Sequence, residues 1–334
     1  MTPANILINL PPGFFRAPAL RPMFRRLAAL GSLRKRSWNT PQEIAKDLPW
    51  ADAILMWSWP VLEPAALDTA TRLKVVGCID VSRRSAEIYF ARQMPVATAR
   101  RCWSPAVAEM ALTLTLAGLR RTSLYHAAMR SAKEAWVKDF PLDIDLRERE
   151  LTGLRVGIIG LGAVGRRFAQ LLGPFNTSLL VFDPFLADEA IATAGGTKSE
   201  LAPLLSTCDV VVLCAASNSG TAKLLGAKQI RSLKDDAVLV NVARAALVDT
   251  PALIARLKRG NLTLACDVFD LEPLPAAAAL RKLPNALLTP HRAGGLMSSV
   301  QRAMTMLTDD IEAGLAGRDL ANRLMPAMLP GLDA

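Results

Sequence analysis

One stretch constrains this chain more than any other: LRVGIIGLGAVGRRFAQLLG, residues 154–173, an apolar run that ends in closely spaced glycines. Gly160, Gly162 and Gly165 stand in GxGxxG spacing. Alone that pattern is weak, because any strand-to-helix turn draws on glycine. Here it follows a strand-like run, opens a helix-like one, and is separated by seventeen residues from Asp183 at the end of the next apolar run. Each piece has a physical purpose in dinucleotide binding. Gly160 permits the tight turn, Gly162 lets backbone approach a pyrophosphate, and Gly165 lets helix and strand pack closely. The helix start offers free N–H groups to phosphate oxygens. Asp183 is placed to accept hydrogen bonds from ribose hydroxyls and to repel a 2′-phosphate, which favours NAD over NADP as the cofactor.

Beyond this point short β-branched runs alternate with helical stretches. The expected strands are 154–160, 178–183, 209–214, 237–243, 262–268 and 285–290, nearly all apolar, as strands buried on both faces should be. Ser199 is expected to open one helix, and Thr250 followed by Pro251 to cap another. Six parallel strands with crossover helices make an α/β doubly wound sheet, a Rossmann domain.

Three reactive side chains fall at the carboxyl ends of these strands. Arg244 closes the fourth run, Glu272 lies four residues past the fifth, and His291, one of only two histidines, follows the sixth in LLTPHRAGG (287–295). With strands one and four taken to flank the switch point of the sheet, all three should surround the crevice that receives a nicotinamide. Arg244 has the planar fork that holds a carboxylate. His291 is suited to pass a proton to or from a carbonyl oxygen as hydride moves. Glu272, bonded to the far ring nitrogen, would fix the tautomer and favour imidazolium. A surface ion pair is the plain alternative for Arg244 and Glu272. The constellation predicts an oxidoreductase acting on a small anionic 2-hydroxy or 2-oxo acid.

The stretches AVAEMALTLTLAGLRR (106–121), LTGLRVGIIGLGAVGRRFA (151–169), VFDP (181–184), LVNVARAALVDTPAL (239–253), DVFDLEP (267–273) and TPHRAGG (289–295) resemble the NAD-dependent D-isomer-specific 2-hydroxyacid dehydrogenases. The resemblance implies Arg244 as the substrate-binding arginine and Glu272 with His291 as the acid–base pair. It implies Ala163, Val164, Asp183, Val242 and Asp267 in the cofactor site, Asp267 near the carboxamide. It implies a smaller, flavodoxin-like α/β substrate domain built from 1–101 and 296–334 around an NAD-binding domain at 102–295. It also implies a homodimer joined through the cofactor domain, with an arm ending near a tryptophan such as Trp136.

Two departures stand out. Ala245 replaces the glycine that normally follows the catalytic arginine, which is mild if the local φ is negative and costly if positive. The segment LKVVGCIDVSRRSAEIYFARQMPV (73–96) is a residue or two short and lacks the glycines whose backbone would grip the substrate carboxylate. Arg83, Arg84, Arg100 and Arg101 are candidate replacements, or a solvated basic face. Trp57, Trp59 and Trp103 either cap a pocket or pack. His126 reads as structural or interfacial, and Glu109 as complementing the start of its helix.

The bulk numbers set limits. A chain of 334 residues favours two domains, and 51% apolar with 21% charged residues is ordinary for a packed protein. No apolar run reaches the ~18 residues that cross a bilayer, so a soluble protein without a membrane partner is expected. Five scattered cysteines and two histidines form no metal pattern, and they fit a reducing, cytoplasmic setting. The first 42 residues carry seven basic side chains and no acid, which resembles a presequence. NILINL (5–10) followed by RPMFRRLAALGSL (21–33) instead reads as an opening strand and helix. Residues 1–150 hold 22 basic against 14 acidic side chains. With no nucleic-acid motif, that surplus is expected to steer small anions rather than nucleic acid. Two rival readings stay open: a non-catalytic NAD-sensing regulator of the dehydrogenase fold, and a relative acting on another small anion.

Overall fold

The computed structural model describes residues 3–332. The chain divides into two units, Met1–Trp103 with Leu296–Ala334, and Ser104–Gly295. The first division falls two residues beyond the expected 101.

The smaller unit is built on β1 (Ala4–Asn9), β2 (Gly31–Arg36), β3 (Ala53–Met56), β4 (Val75–Cys78) and β5 (Val96–Thr98). All pair in parallel, in the order β2-β1-β3-β4-β5. That is the flavodoxin-like order, with its switch point between β1 and β3. β3 and β4 are buried at every residue, whereas β2, on the edge, has only half-buried and exposed positions. The edge strand carries Arg34, Lys35 and Arg36, a composition that discourages pairing with another chain. The helix Met297–Leu315 returns the chain to this unit, where Met304, Leu307 and Ile311 join the core beside Val75 and Ile79.

The larger unit holds β6 (Arg155–Ile159), β7 (Ser178–Phe182), β8 (Thr197–Lys198), β9 (Val210–Leu213), β10 (Ala237–Asn241), β11 (Leu262–Cys266) and β12 (Ala286–Leu288). Their order is β12-β11-β10-β9-β6-β7-β8, all parallel. Six of the seven were expected; β8, two exposed residues on the edge, has no apolar pattern to announce it.

Because β6 pairs with β9, the switch point lies between the first and third expected strands, not the first and fourth. Arg244 therefore stands one strand further from the switch than the sequence suggested. Two helix starts also differ. Leu201–Thr207 begins two residues after Ser199, whose hydroxyl donates to the Glu200 carbonyl at 3.0 Å. The helix Thr250–Lys258 is capped by Asp249, which accepts the Ala252 N–H at 3.0 Å, with Thr250 inside the helix. The carboxylate outcompetes the neighbouring hydroxyl as acceptor.

The segment Arg100–Leu119 is long and apolar enough, with mean hydropathy 1.2, to cross a bilayer by length and composition, which the sequence reading did not anticipate. Half of that window is buried inside the protein. Within the larger unit, Ala108, Ala111 and Leu114 pack in one core cluster with Val156, Val210 and Val238.

At the amino edge of the larger sheet a buried carboxylate ties three segments. Asp209 accepts from Arg149 at 3.0 Å, from Lys234 at 2.6 Å and from the Arg155 N–H at 3.1 Å. Burial opposes its charge, but these donors outweigh it and hold its pKa below the usual carboxylate range. Its stabilisation is therefore present above the unfolded value near pH 4 and is lost as pH falls through the depressed folded value. Asp209→Asn is expected to cost about 2 kcal/mol in urea unfolding at pH 7. The gap to the parent should narrow below pH 4, and an unchanged gap there would contradict this account.

Candidate active site

The carboxyl ends of β6 and β7 carry the glycine turn and Asp183. Gly160 sits at φ +89°, a left-handed conformation that a β-carbon disfavours. A β-carbon on Gly165 would meet the Gly160 carbonyl oxygen at 2.4 Å, so this is a true close approach of helix to turn. Gly162 is different: nothing lies within 4 Å of where its β-carbon would stand. It precedes the ten-residue helix Ala163–Leu172, which no side chain caps, so the N–H groups of the first turn are open. Ala163 is exposed and Val164 half-buried beside them. Asp183 spends one oxygen on the Leu161 N–H at 2.9 Å and the other on the Phe185 N–H at 3.1 Å. Each carboxylate oxygen retains a second lone pair for a ribose hydroxyl. An open cradle at Gly162, free helix N–H groups and an adjacent carboxylate fit a dinucleotide.

Beyond β10 the chain turns through Arg244. The turn is shaped by Asn241, a buried polar residue at the end of an apolar strand. Its amide donates to the Arg244 carbonyl at 3.0 Å and accepts the Ala243 N–H at 3.0 Å. Val242 is buried at the start of this turn, and Arg244 is exposed, with one guanidinium N–H on the Ala243 carbonyl at 2.8 Å. Ala245 opens the short turn Ala245–Leu247 and is not among the residues with positive φ, so alanine is accommodated without strain there.

Asp267, fully buried just past β11, organises the next segment. Oδ1 accepts the Thr289 hydroxyl at 2.5 Å and the Arg292 N–H at 2.9 Å, and Oδ2 accepts the Ala293 N–H at 2.8 Å. The Asp267 carbonyl accepts the His291 N–H at 2.9 Å. Both carboxylate oxygens are thus engaged by the loop that carries His291. Neither Asn241 nor the Thr289–Asp267 bond was foreseen. The available signal was a lone polar residue ending each of two buried strands, in VLVNVA (238–243) and LACDV (264–268).

Held this way, His291 adopts φ +50°, a conformation uncommon for a residue with a side chain and found disproportionately at functional sites. Its Nδ1 lies 2.6 Å from Glu272 Oε2, and the other Glu272 oxygen accepts the Phe269 N–H at 2.9 Å. Partial burial works against ionising Glu272, but the bonds from His291 and Phe269 prevail, aided by the nearby charges of His291 and Arg244. Its pKa is held below the usual range. An ionised carboxylate only accepts, so Nδ1 must carry the hydrogen and Nε2 is the nitrogen left to exchange a proton. Arg244, Glu272 and His291 are therefore brought together at one edge of the larger unit.

Two other candidates of the larger unit do not join them. His126 is exposed on the helix Thr122–Arg130, and Glu109 is exposed on the helix Ser104–Leu119. In the smaller unit Arg83 pairs with Glu87 at 3.0 Å, Arg84 makes two bonds to Glu63 at 2.8 and 3.0 Å, and Arg100 faces Asp80 at 3.3 Å. Arg83 and Arg84 lie on a solvated face with partners of their own. In the glycine-free loop after β4, Asp80 accepts the Val81 N–H at 2.8 Å.

These features define a dinucleotide-binding, doubly wound α/β protein with a histidine–carboxylate pair beside an arginine. Residues 112–293 match the NAD binding domain of the D-isomer specific 2-hydroxyacid dehydrogenases, and the chain belongs to that family, with NAD as cofactor. It is 29% identical over 296 residues to a D-3-phosphoglycerate dehydrogenase of Archaeoglobus fulgidus, 86% of this chain and 54% of that protein. It is 29% identical over 288 residues to a glyoxylate reductase of Thermofilum pendens, 83% of this chain and 82% of that protein. The chain spans about half the length of the D-3-phosphoglycerate dehydrogenases it matches. Among solved structures, a Thermus thermophilus protein aligns over 96% of this chain and 100% of its own, at 27% identity and TM-score 0.74. A phosphoglycerate oxidoreductase from Rhizobium etli shares the fold, with TM-score 0.83 over 98% of this chain and 99% of its own at 23% identity.

The glycines separate two effects. Gly165→Ala should lower thermal stability, because its β-carbon strikes backbone. Gly162→Ala should keep the parent melting temperature yet weaken NADH binding by about tenfold or more, since the methyl group enters the phosphate approach. Fluorescence titration with NADH beside thermal melts checks both, and equal NADH affinity in Gly162→Ala would contradict the cradle.

Proposed function

We propose that this chain transfers a hydride between NAD(H) and C2 of a small 2-hydroxy or 2-oxo acid. The observation that carries the reading is the Glu272–His291 contact of 2.6 Å, within reach of the Arg244 charge, on a chain of this family. Bound at the Gly162 turn, NAD(H) would supply the chemistry of hydride donation or acceptance at C2. Arg244 holds the carboxylate and polarises the adjacent oxygen. His291 Nε2 gives a proton to that oxygen in reduction and takes it back in oxidation. Glu272, ionised, holds a hydrogen on Nδ1 and so leaves Nε2 as the nitrogen that exchanges the proton. Asp183 orients the adenosine ribose and selects against a 2′-phosphate.

Three further points belong to this reading. The smaller unit serves as the substrate domain. The chain works as a homodimer, because residues 129–146 expose Met129, Trp136, Val137, Phe140, Leu142, Ile144 and Leu146, a run of apolar side chains that suits a second copy. Five free thiols, four of them buried, fit the cytoplasm. The reading gives no part to nucleic acid or to a membrane.

A panel of 2-oxo acids with NADH and NADPH, followed at the nicotinamide absorbance, tests the reading. Oxidation of NADH in preference to NADPH by at least one acid is expected. His291→Ala should lower kcat by about a hundredfold or more while NADH binding is kept. Tight NADH binding with no oxidation by any acid would instead identify a sensor.

A further inference from the structure

The first 42 residues carry seven basic side chains and no acid, and folding leaves that imbalance on one face of the smaller unit. The acids that reach the face come from elsewhere in the chain and are taken: Arg26 holds Asp309 and Glu312, and Arg34 holds Asp47. Arg16, Arg21 and Arg25 are exposed, and their side chains have no hydrogen bond or ion pair among the described residues.

One aromatic contact gathers them. Phe15 and Phe24 meet at 5.7 Å, which lays the short helix Pro12–Arg16 against the helix Arg21–Ala29, and Arg16 and Arg25 are the residues that follow those rings. Lys35, on the edge strand β2, sets its ammonium 4.9 Å from the centre of the same Phe24 ring. Arg36, next along the strand, lies over Trp38 and reaches Asp47 only at 3.8 Å. Three uncommitted guanidinium groups thus stand together, with two further cations adding to their field. The arrangement works against the fold. Arg21 is the first residue of a helix that no side chain caps, where the dipole disfavours a cation, and Arg21 with Arg25 is a like-charge i,i+4 pair. An anion brought to this face relieves both penalties.

We propose that this face binds the phosphate backbone of a nucleic-acid duplex, without reading base sequence or sugar. A small anion needs donors that converge on one point, and these are spread over two helices and an edge strand. Stable attachment to a lipid surface takes an apolar anchor beside a basic patch, and among the described residues no large exposed apolar side chain precedes Trp59. A single strand is held by stacking its bases on free rings, whereas Phe24 and Trp38 are covered by Lys35 and Arg36. A duplex asks only for cations along its phosphates, and the planar fork of arginine suits a phosphate. Arginine and lysine donate and do not accept, so nothing in the face selects DNA or RNA by the sugar hydroxyl. The surface lies outside the dehydrogenase reading and does not depend on it.

Fluorescence anisotropy with a short labelled DNA duplex tests the proposal. At physiological salt a dissociation constant of about 10⁻⁶–10⁻⁴ M is expected, and the logarithm of affinity should fall against that of salt with a slope of about −2.7 for three phosphates neutralised. A second sequence and duplex RNA should bind alike, and single-stranded DNA more weakly. Arg21→Glu with Arg25→Glu should lower affinity about tenfold or more and flatten the slope by about two. That variant should melt at or above the parent temperature, because both changes relieve repulsion. Lys228→Glu with Arg231→Glu, the same change of charge at exposed positions of the larger unit, should leave affinity unchanged. Absence of duplex binding at about 10⁻⁴ M protein overturns the proposal. So does tighter binding to phosphatidylserine–phosphatidylcholine vesicles or to single strands, displacement of the duplex by equimolar inorganic phosphate, or an equal loss in the two double variants.

Discussion

The geometry of the candidate site depends on a carboxylate that touches no solvent. Asp267 accepts the Thr289 hydroxyl and the N–H groups of Arg292 and Ala293 with its side chain, and the His291 N–H with its carbonyl. A charge buried without partners costs several kcal/mol, so Asp267 can sit there only if the loop closes around it in this one arrangement. The same closure puts His291 into its left-handed backbone conformation and turns its ring to Glu272. Asn241 does the parallel work for Arg244 with two neutral hydrogen bonds. Buried polar side chains at the ends of β10 and β11 thus convert a generic sheet edge into a site with fixed coordinates.

Asp183 shows the same economy in the coenzyme half. Its two oxygens pin the glycine turn at Leu161 and the start of the next loop at Phe185, so the carboxylate is oriented before a ribose reaches it. The family resemblance assigns Asp183 and Asp267 alike to the cofactor. The hydrogen bonds distinguish them: Asp183 is half-buried with acceptor capacity left, whereas Asp267 is sealed in and engaged on both oxygens by the histidine loop. Orientation of a reacting group by residues whose own bonds are complete is what lets a small displacement elsewhere cost so much in rate.

Much of the larger unit was legible because its strands are buried on both faces and so read as continuous apolar runs. β8 was invisible because two exposed residues carry no period, and its absence shifted the inferred switch point by one strand. The error did not displace Arg244, Glu272 or His291 from the carboxyl edge, since in a parallel sheet every strand end points the same way. In the smaller unit NILINL and the helix after it were legible, but that helix ends at Ala29 and the expected last turn, GSL, instead opens β2. β2, the run GSLRKR, is polar because it lies at an edge, and β5 is only three residues long. Helix starts erred where two capping residues stood side by side, as with Asp249 and Thr250, because sequence ranks acceptors only roughly while geometry selects one.

The basic surplus of the first 150 residues illustrates what counting charges leaves out. Arg26 meets Asp309 and Glu312, Arg34 meets Asp47, Arg72 meets Asp52, and Arg92 meets Asp68. Arg34, Lys35 and Arg36 also lie over the rings of Trp50, Phe24 and Trp38. A guanidinium already held by a carboxylate or an aromatic face must give up that partner before it can serve a ligand, so its formal charge overstates what it offers. Arg244 differs in kind. Among the described residues the one hydrogen bond of its side chain runs to the carbonyl of its own neighbour, and no carboxylate lies within ion-pair distance. In the larger unit, therefore, the cation placed beside Glu272 and His291 is one whose remaining donors are uncommitted, which is the condition for gripping an incoming anion at the moment of reaction.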